Sequence, residues 1–329
     1  MRSSIAPSRR AMCRLLGGLL VMACVASPPH AAPSYPGDRP IRFIVPFGVG
    51  GLADISLRLV AQKMSEHFGE KIIVENRPGA GGIVAASAVL NAPPDGYTLA
   101  VFANGTAISK SLFKLPFDPE KDFAPISTVA YFDLLLLTNP KGKIGSVADL
   151  LAEGKRRQLI LGTINPGSTQ NLSAELFRST AGLNAIIVPF RTTADVMSAL
   201  VRGDIDVAFE SYAALKGPID AGTVQPIAAT GDKRSSWLPQ VPTVKESGLP
   251  DYDVTGWNAL FAPAGTPPEV IQLLNRQLAE VLQLPDLRQR FENLGTEARS
   301  STPEEMGAIL HRDVGKWAAV IKQAGIQPQ

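Results

Sequence analysis

The sequence has little cysteine and little histidine, which excludes several kinds of catalytic site. Its 329 residues include two cysteines and three histidines. Both cysteines, Cys13 and Cys24, precede residue 33, so a chain cleaved near residue 32 would have no disulfide, thiolate nucleophile or cysteine–metal site. The two histidines left in that chain, His67 and His311, lie in helical patterns, and we interpret them as helix surface or boundary residues rather than ligands.

A strong charge of one sign is also missing. The formal net charge is +2, so no basic surface indicates nucleic-acid binding. The sequence has no P-loop, no Gly-x-Ser-x-Gly nucleophile elbow and no His-Glu-x-x-His zinc motif. We therefore expect no nucleic acid, metal or cofactor. Hydrolysis by a carboxylate pair stays open, although no particular pair of acids stands out.

The apolar run near the amino terminus is too short to span a bilayer. Four arginines precede this run at 15–26, and a segment rich in small residues follows it at 27–32. This pattern predicts a secretory signal over residues 1–32 and a periplasmic protein. The alternative is a buried amino-terminal helix, but the segment has neither an amphipathic face nor a cap. Removal of the signal leaves 28 basic and 30 acidic residues.

Two details leave the export route open. The tripeptide Ser8-Arg9-Arg10 resembles the start of a twin-arginine signal, which would export a folded protein. The segment from Val21 to Cys24 loosely resembles a lipoprotein box, in which case Cys24 would carry a lipid anchor. Met22 and a missing leucine weaken that match, so cleavage without lipidation is the preferred prediction.

Strand and helix signals alternate along the chain. Short apolar runs predict strands at 41–45, 71–75, 97–103, 134–138, 159–163, 186–190 and 205–209. Helical spacing of apolar residues follows most of them, so the pattern predicts an α/β fold with a largely parallel sheet. Capping patterns predict three further helix starts, at Ser146–Asp149, Thr266–Glu269 and Thr302–Glu305.

Small residues follow three of the predicted strands. The segments are 48–51 and 78–82 in the first half of the chain and 165–169 in the second. Such strand-to-helix turns expose unpaired N–H groups, and the helix dipole adds positive potential, so a carboxylate can bind there without a cationic side chain. The alternative is structural: the glycines permit tight turns, and segment 165–169 only caps a helix.

A dinucleotide site is a rival interpretation of the first loop. Residues 48–53 fit Gly-x-Gly-x-x-Ala, and Glu75 follows at the end of the next strand. Pro46 and Phe47 interrupt the usual spacing, however, and the predicted export removes the protein from cytoplasmic cofactors. The second glycine loop also follows Glu75 almost at once, which favours two convergent loops around a smaller anion.

The chain closely resembles the Bug-type receptors of tripartite tricarboxylate transporters. The likeness covers the whole mature chain and is carried by motifs in this order: residues 40–47, Gly50-Gly51-x-x-Asp54, residues 75–82, 94–99, Asp118-Pro119-x-x-Asp122-Phe123, Pro239-x-Val241-Pro242-Thr243 and 262–267. The resemblance implies an α/β, two-lobed periplasmic solute-binding fold of type II, a Venus flytrap with two chain crossings. It implies a receptor that captures a small carboxylate or dicarboxylate and is not an enzyme.

The resemblance also predicts boundaries and a site. Lobe 1 would comprise residues 33–132 and 255–329, and lobe 2 residues 133–254, with crossings near 130–134 and 251–260. Trp257, in the second crossing, would report lobe movement. The resemblance places the family's site on Phe47, Gly50, Gly51, Asp54, Ala80, Gly81, Ser168 and Thr169. Further candidate ligand-binding residues are Gly48, Asn104, Thr106, Asn165, Gly167, Arg191, Thr192 and Glu210.

The ligand and the partner remain open at this point. The family often has Pro-Tyr-Lys-Gly where this chain has Pro189-Phe190-Arg191-Thr192, so Arg191 could pair with a second carboxylate or remain solvated. We expect a monomer that presents its ligand to the membrane permease subunits of a tripartite tricarboxylate transporter. The alternatives are a sensory receptor for a membrane kinase and, more remotely, an exported enzyme.

Overall fold

A computed structural model describes residues 35–50, 52–69 and 71–328. The predictions for residues 1–32, including those for Cys24 and the twin-arginine segment, lie outside the described residues. Gly51 of the candidate site lies outside them as well. From residue 36 onward the chain packs into one compact unit.

Strands and helices alternate through most of this unit. The strands are β1 (Ile41–Val45), β2 (Ile72–Asn76), β3 (Thr98–Ala103), β4 (Phe123–Thr138), β5 (Leu159–Ile164), β6 (Ala185–Phe190), β7 (Val207–Ser211), β8 (Gln225–Ala229), β9 (Thr255–Pro263) and β10 (Glu297–Ala298). The helices are α1 (Leu52–Phe68), α2 (Ile83–Leu90), α3 (Asn104–Leu112), α4 (Val147–Gly154), α5 (Thr169–Thr180), α6 (Thr193–Arg202), α7 (Tyr212–Asp220), α8 (Pro268–Val281), α9 (Pro285–Asn293) and α10 (Pro303–Ala324). None of the helices in the described ranges is long and apolar enough to cross a membrane.

Two sets of parallel strands are joined through β4. The order along the sheet is β2-β1-β3-β9-β4-β7-β5-β6, with β8 and β10 also paired to β4. Strands β1, β2 and β3 are parallel to one another, and so are β5, β6 and β7. Strand β9 is antiparallel to both β3 and β4, and β4 is antiparallel to β7. The carboxyl ends of both sets therefore point toward the middle of β4.

The middle of β4 is where its pairing partners change. Residues up to Asp133 pair with β9, and residues from Leu134 onward pair with β7 and β8. The chain passes between the two strand sets a second time just before β9, at Val254. Thr230 contacts both passages. Its amide donates to the Leu134 carbonyl oxygen, and its carbonyl oxygen accepts from the Val254 amide. Its hydroxyl bonds to the same two residues.

The carboxyl-terminal helix α10 begins as its sequence predicts. The Thr302 hydroxyl accepts from the Glu305 amide at 3.1 Å, and the Glu305 carboxylate accepts from the Thr302 amide at 2.9 Å. This reciprocal capping satisfies two N–H groups that a helix start leaves unpaired. One side of α10 is buried and packs on α3 and β4, which places its apolar residues in the main core.

The helix-start prediction at Thr266 is wrong. Helix α8 begins at Pro268 and has no side-chain cap, and the Thr266 hydroxyl instead donates to the Pro263 carbonyl oxygen at 2.8 Å. Two consecutive prolines explain the difference. Because a proline disfavours helical backbone in the residue before it, Pro268 keeps Pro267 extended and moves the start by one residue.

Trp257, the residue predicted to report lobe movement, is buried in the core. Its side chain is 1% exposed, and the indole nitrogen donates to Asp313 on α10 at 2.7 Å. Trp317 is equally buried in the same core cluster. Trp257 is therefore as firmly packed as Trp317.

Candidate functional site

The loop after β1 is pinned at both ends by neighbouring side chains. The Gly50 amide donates to Asp54 Oδ2 at 2.9 Å, and the Phe47 carbonyl oxygen accepts from Asn76 Nδ2 at 3.0 Å. The same Asn76 nitrogen donates to Asp54 Oδ1 at 2.8 Å. Asp54 lies in the first turn of α1 and is 1% exposed. It thus orients the loop and satisfies an amide at the start of the helix.

Arg58 completes this cluster. Its Nε donates to both carboxylate oxygens of Asp54 at 3.1 Å, and its Nη2 donates to Asn76 Oδ1 at 2.8 Å. Burial raises the pKa of Asp54, but the hydrogen bonds from Arg58, Gly50 and Asn76 outweigh it and hold the pKa below its usual value. Asp54 is therefore a carboxylate at neutral pH.

The loop after β2 forms a short 3-10 turn, Ala80–Gly82, that leads into α2. Gly81 has a φ of 61°, in the left-handed region that favours glycine. A Cβ at this position would lie 3.2 to 3.3 Å from the side chains of Phe113 and Leu115. Glycine therefore fits this position for two reasons: the backbone is left-handed, and the segment after α3 lies too close to leave room for a side chain.

The start of α3 is also a part of the site: Asn104 and Thr106 were predicted as site residues, although the helix itself was not predicted. Gly105 and Thr106, in its first turn, line a cavity. The Thr106 hydroxyl accepts from the Ala103 amide at 3.3 Å, whereas Asn104 faces another way. Asn104 accepts from the Trp257 amide at 2.7 Å and donates to the Thr255 carbonyl oxygen at 3.2 Å, so it links α3 to β9.

The loop after β5 approaches from the second strand set. Gly167 has a φ of 75°, and a Cβ there would lie 2.2 Å from the end of the Leu112 side chain on α3. Its amide donates to Asn171 Oδ1 at 3.0 Å. Ser168 caps α5: its hydroxyl accepts from the Asn171 amide and donates to the Ile164 carbonyl oxygen. The only proton of that hydroxyl is therefore used within the loop.

Glu210, at the end of β7, organises the second strand set. It is 2% exposed, and its carboxylate accepts from Gln170 Nε2 at 3.0 Å, Thr193 Oγ1 at 2.7 Å and the Ser211 amide at 2.8 Å. These bonds join the loops after β5 and β6. Glu210 resembles Asp54 in this respect, since each is a buried carboxylate that fixes loops at a carboxyl-terminal sheet edge.

The loop after β6 is more exposed. Thr192 caps α6, with its hydroxyl accepting from the Asp195 amide at 3.2 Å. Arg191 is exposed and has no hydrogen bond or ion pair from its side chain to any described residue. Its charge is consequently free to meet an anion at the rim of the loops.

A cavity of about 190 Å³ lies where loops of both strand sets converge. Its lining residues are Pro46, Phe47, Gly79, Gly81, Gly82, Gly105, Thr106, Ile108, Ser109, Phe113 and Gly167. Ligands of open α/β sheets bind beyond the carboxyl ends of the strands, and this cavity has that location. Its small volume, against roughly 300–1,000 Å³ for pockets that hold drug-sized molecules, suits a small solute.

The structure brings four of the predicted site residues to this cavity: Phe47, Gly81, Thr106 and Gly167. Gly48, Gly50 and Ala80 belong to loops that line it. Asp54 fixes the loop after β1, and Glu210 fixes the residues that follow the loops after β5 and β6 in the second strand set. Asn104, Asn165, Ser168, Thr169, Arg191 and Thr192 do not line it. Sequence reasoning missed Pro46, Gly105, Ile108, Ser109 and Phe113, whereas Gly79 and Gly82 belong to the predicted loop at 78–82.

Other depressions lie elsewhere. One of about 230 Å³ lies at the opposite end of the second strand set, beside Thr138, Arg157 and Asp206. Another of about 220 Å³ lies beside the middle of β4 and includes Asp133 and Trp237. Neither is lined by residues of the three small-residue loops at 48–51, 78–82 and 165–169. Within the described ranges, no three His, Cys, Asp or Glu side chains form a group suited to a metal ion.

Glu75, the acid that the dinucleotide interpretation needs, is engaged in ion pairs. Its carboxylate contacts Arg42 and also Arg77, the latter at 3.2 Å. The hydrogen bond from Arg42 holds the pKa of Glu75 below its usual value, so it is an ionised and paired carboxylate. A ribose would have to displace these arginines, which disfavours a dinucleotide.

The sequence matches a known family along most of its length. The profile of the tripartite tricarboxylate transporter family receptors, TctC, matches residues 56–326. The chain belongs to this family. Among its relatives is Protein BugT of Bordetella pertussis, 32% identical over 321 residues, which are 95% of this chain and 98% of that protein.

Solved structures of similar proteins agree with the fold. One is Rpa4515 of R. palustris with adipate, at 33% identity and a TM-score of 0.76, covering 88% of this chain and 99% of that one. Another is MatC of Rhodopseudomonas palustris with bound malate, at 30% identity and a TM-score of 0.71, covering 86% and 99%. The predicted family and the predicted two-lobed solute-binding fold class are confirmed.

Proposed function

We propose that this TctC-family receptor binds a small carboxylate or dicarboxylate in the cavity between the glycine loops and α3. The main observation in support of this proposal is the set of residues that line the cavity. Five glycines from three segments line it, and one of them, Gly167, belongs to the second strand set. Backbone amides at such loops and at the start of α3 can bind an anion without a lysine or arginine.

The proposal assigns residues 33–132 and 255–329 to lobe 1 and residues 133–254 to lobe 2. The change of β4 partners after Asp133 and the second passage at Val254 support these boundaries. A ligand that contacts loops of both lobes has its full set of contacts only when they are closed, so binding shifts the population toward closure.

The remaining candidate residues have two proposed roles. Gly48, Gly50, Gly51, Ala80, Thr169 and Asn165 belong to loops that would surround the ligand, while Asp54, Asn104, Ser168, Thr192 and Glu210 would position those loops through their hydrogen bonds. Arg191 would meet a second carboxylate if the ligand has one. No side chain in the cavity is arranged as a nucleophile with a base, so we propose that the protein binds its ligand without reaction.

The location and partner follow from the same proposal. The basic, apolar and small-residue pattern over residues 1–32 supports export to the periplasm, with release by cleavage. The family description favours the membrane permease subunits of a tripartite tricarboxylate transporter over a sensor kinase as the partner. Adipate and malate in the two solved relatives support a dicarboxylate.

Native mass spectrometry of protein purified without denaturation tests the proposal. A single adduct with the mass of a small organic acid is expected, and it should exchange when excess malate, succinate, adipate or butyrate is added. Titration with the same four acids then ranks their affinities. Absence of any adduct, together with no binding of any acid in the panel, would show that the cavity does not hold a small carboxylate.

A further inference from the structure

Asp54 places a negative charge directly behind the loop that would bind an anion. Its carboxylate is buried and is joined to the cavity through two hydrogen bonds, by way of Asn76 and the carbonyl of Phe47. A buried charge acts over several ångströms because little water screens it. An uncompensated Asp54 would therefore repel the ligand that its own loop is shaped to receive.

Arg58 is the group that cancels this charge. Its guanidinium contacts both oxygens of Asp54 and also Asn76, so it bonds to both side chains that pin the loop. No other Lys or Arg forms an ion pair with Asp54 among the described residues. The Arg58 side chain is 46% exposed and is absent from the cavity lining, so it acts without touching the ligand.

We propose that Arg58 is a positioning residue for anion capture: it neutralises Asp54 and thereby allows the Phe47–Gly50 loop to bind a carboxylate. This inference deepens the proposed function and rests on it. The loop geometry comes from Asp54 and Asn76, whereas the electrostatic potential at the loop depends on Arg58. If Arg58 had a purely structural role, ligand affinity would depend on its hydrogen bonds and not on the net charge of the Asp54–Arg58 pair.

Titration calorimetry with malate and adipate on four proteins separates the two roles. Arg58→Gln should weaken binding on the order of tenfold, because one buried negative charge is left uncompensated. Arg58→Lys should retain most of the affinity, since it keeps the charge. The double variant Asp54→Asn/Arg58→Gln should bind more tightly than Arg58→Gln, because the pair is neutral again, although asparagine has one acceptor oxygen fewer for the loop. If Arg58→Gln does not fold, Arg58→Lys decides, and loss of affinity in a folded Arg58→Lys protein overturns the inference.

Rescue by Arg58→Lys is the readout that a purely structural role would not give. Lysine keeps the positive charge beside Asp54 but lacks the guanidinium that contacts both Asp54 and Asn76. Equal losses of affinity in Arg58→Lys and Arg58→Gln would contradict the inference.

Arg157→Gln is the matched control. Arg157 also pairs with an aspartate, Asp206, and that carboxylate also accepts a backbone amide, from Ile160 at 2.8 Å. This pair lies at the far end of the second strand set, so its loss should leave affinity unchanged. If the wild-type protein binds neither malate nor adipate nor the other acids of the panel, the proposed function is overturned together with this inference. If the wild-type protein binds and Arg58→Gln binds equally well, only this inference is overturned.

Discussion

The hydroxyl of Thr230 donates a hydrogen bond to the carbonyl oxygen of Val254 at 2.7 Å. The same hydroxyl accepts from the amide of Leu134 at 2.9 Å. Leu134 and Val254 are the two points at which the chain passes between the strand sets, and Thr230 is fully buried between them. One side chain thus joins both passages where a hinge would need them to stay together.

Replacing Thr230 by valine should lower the free energy of unfolding. Valine keeps the shape of the side chain, but the Leu134 amide loses its acceptor and the Val254 carbonyl oxygen loses one donor, both in the core. A buried group without its partner costs roughly 1–3 kcal/mol. Urea unfolding measures the loss. Thr138→Val is the matched control, because the buried Thr138 hydroxyl has no partner among the described residues, and its removal should cost nothing or stabilise. Equal effects of the two substitutions would contradict the role of Thr230.

Asp133, next to the first passage, should make stability depend on pH. Burial raises the pKa of its carboxyl to about 7, with Asp253, Asp232 and Glu297 adding to the effect and the Ser235 hydroxyl opposing it. Lys233, Arg234 and Arg299 line the same depression without pairing with Asp133. The folded state binds the proton of Asp133 more tightly than the unfolded state does. The stabilisation of the folded state by this proton is therefore fully present below about pH 4 and is lost as the pH rises through 7.

Asp133→Asn should remove this dependence. The variant should melt at a higher temperature than wild type at about pH 8 and at nearly the same temperature at about pH 5, since asparagine is neutral and still accepts from Ser235. Thermal melts of both proteins at the two pH values test the prediction. A variant that is destabilised equally at both values would show that the ionisation of Asp133 is irrelevant.

Local patterns predicted much of the first strand set. Strand β1 spans the predicted residues, and β2 begins one residue later than expected, because an apolar run before a glycine loop is a local signal. The start of α10 was predicted for the same reason, from Thr302 and Glu305 alone. These features depend on residues within a few positions of each other, so the sequence contains them directly.

The middle of the molecule depends on distant pairings and was harder to predict. The first half of β4 contains Pro125, Ser127 and Thr128 and has no clean alternation, yet it is a strand because it pairs with β9, more than a hundred residues later. Helix α3 was missed because it starts without a side-chain cap and carries Gly105 in its first turn. Of the cavity residues on α3, Thr106 was predicted, whereas Gly105, Ile108 and Ser109 were missed.

Arg191 should affect dicarboxylates more than monocarboxylates. Its guanidinium is exposed beside the loops of the second strand set and can bind a second carboxylate with two hydrogen bonds. Arg191→Ala should therefore weaken malate or adipate on the order of tenfold, as expected for a hydrogen-bonded charge pair, and leave butyrate nearly unchanged. Arg202→Ala, which removes an exposed arginine at the far end of α6, is the control. Equal losses for all three acids would show that Arg191 does not bind a second carboxylate.

Calorimetric titration of a Gly81→Val protein against a Gly182→Val protein tests the central claim most directly. Both glycines have a left-handed backbone, so each substitution has a similar backbone cost, and Gly81→Val in addition crowds Phe113 and Leu115. Only Gly81 lines the cavity, whereas the position of a Cβ at Gly182 is in open space. The account predicts that Gly81→Val folds but loses malate and adipate binding, while Gly182→Val binds like wild type. Undiminished binding by folded Gly81→Val would contradict carboxylate capture at the glycine loops.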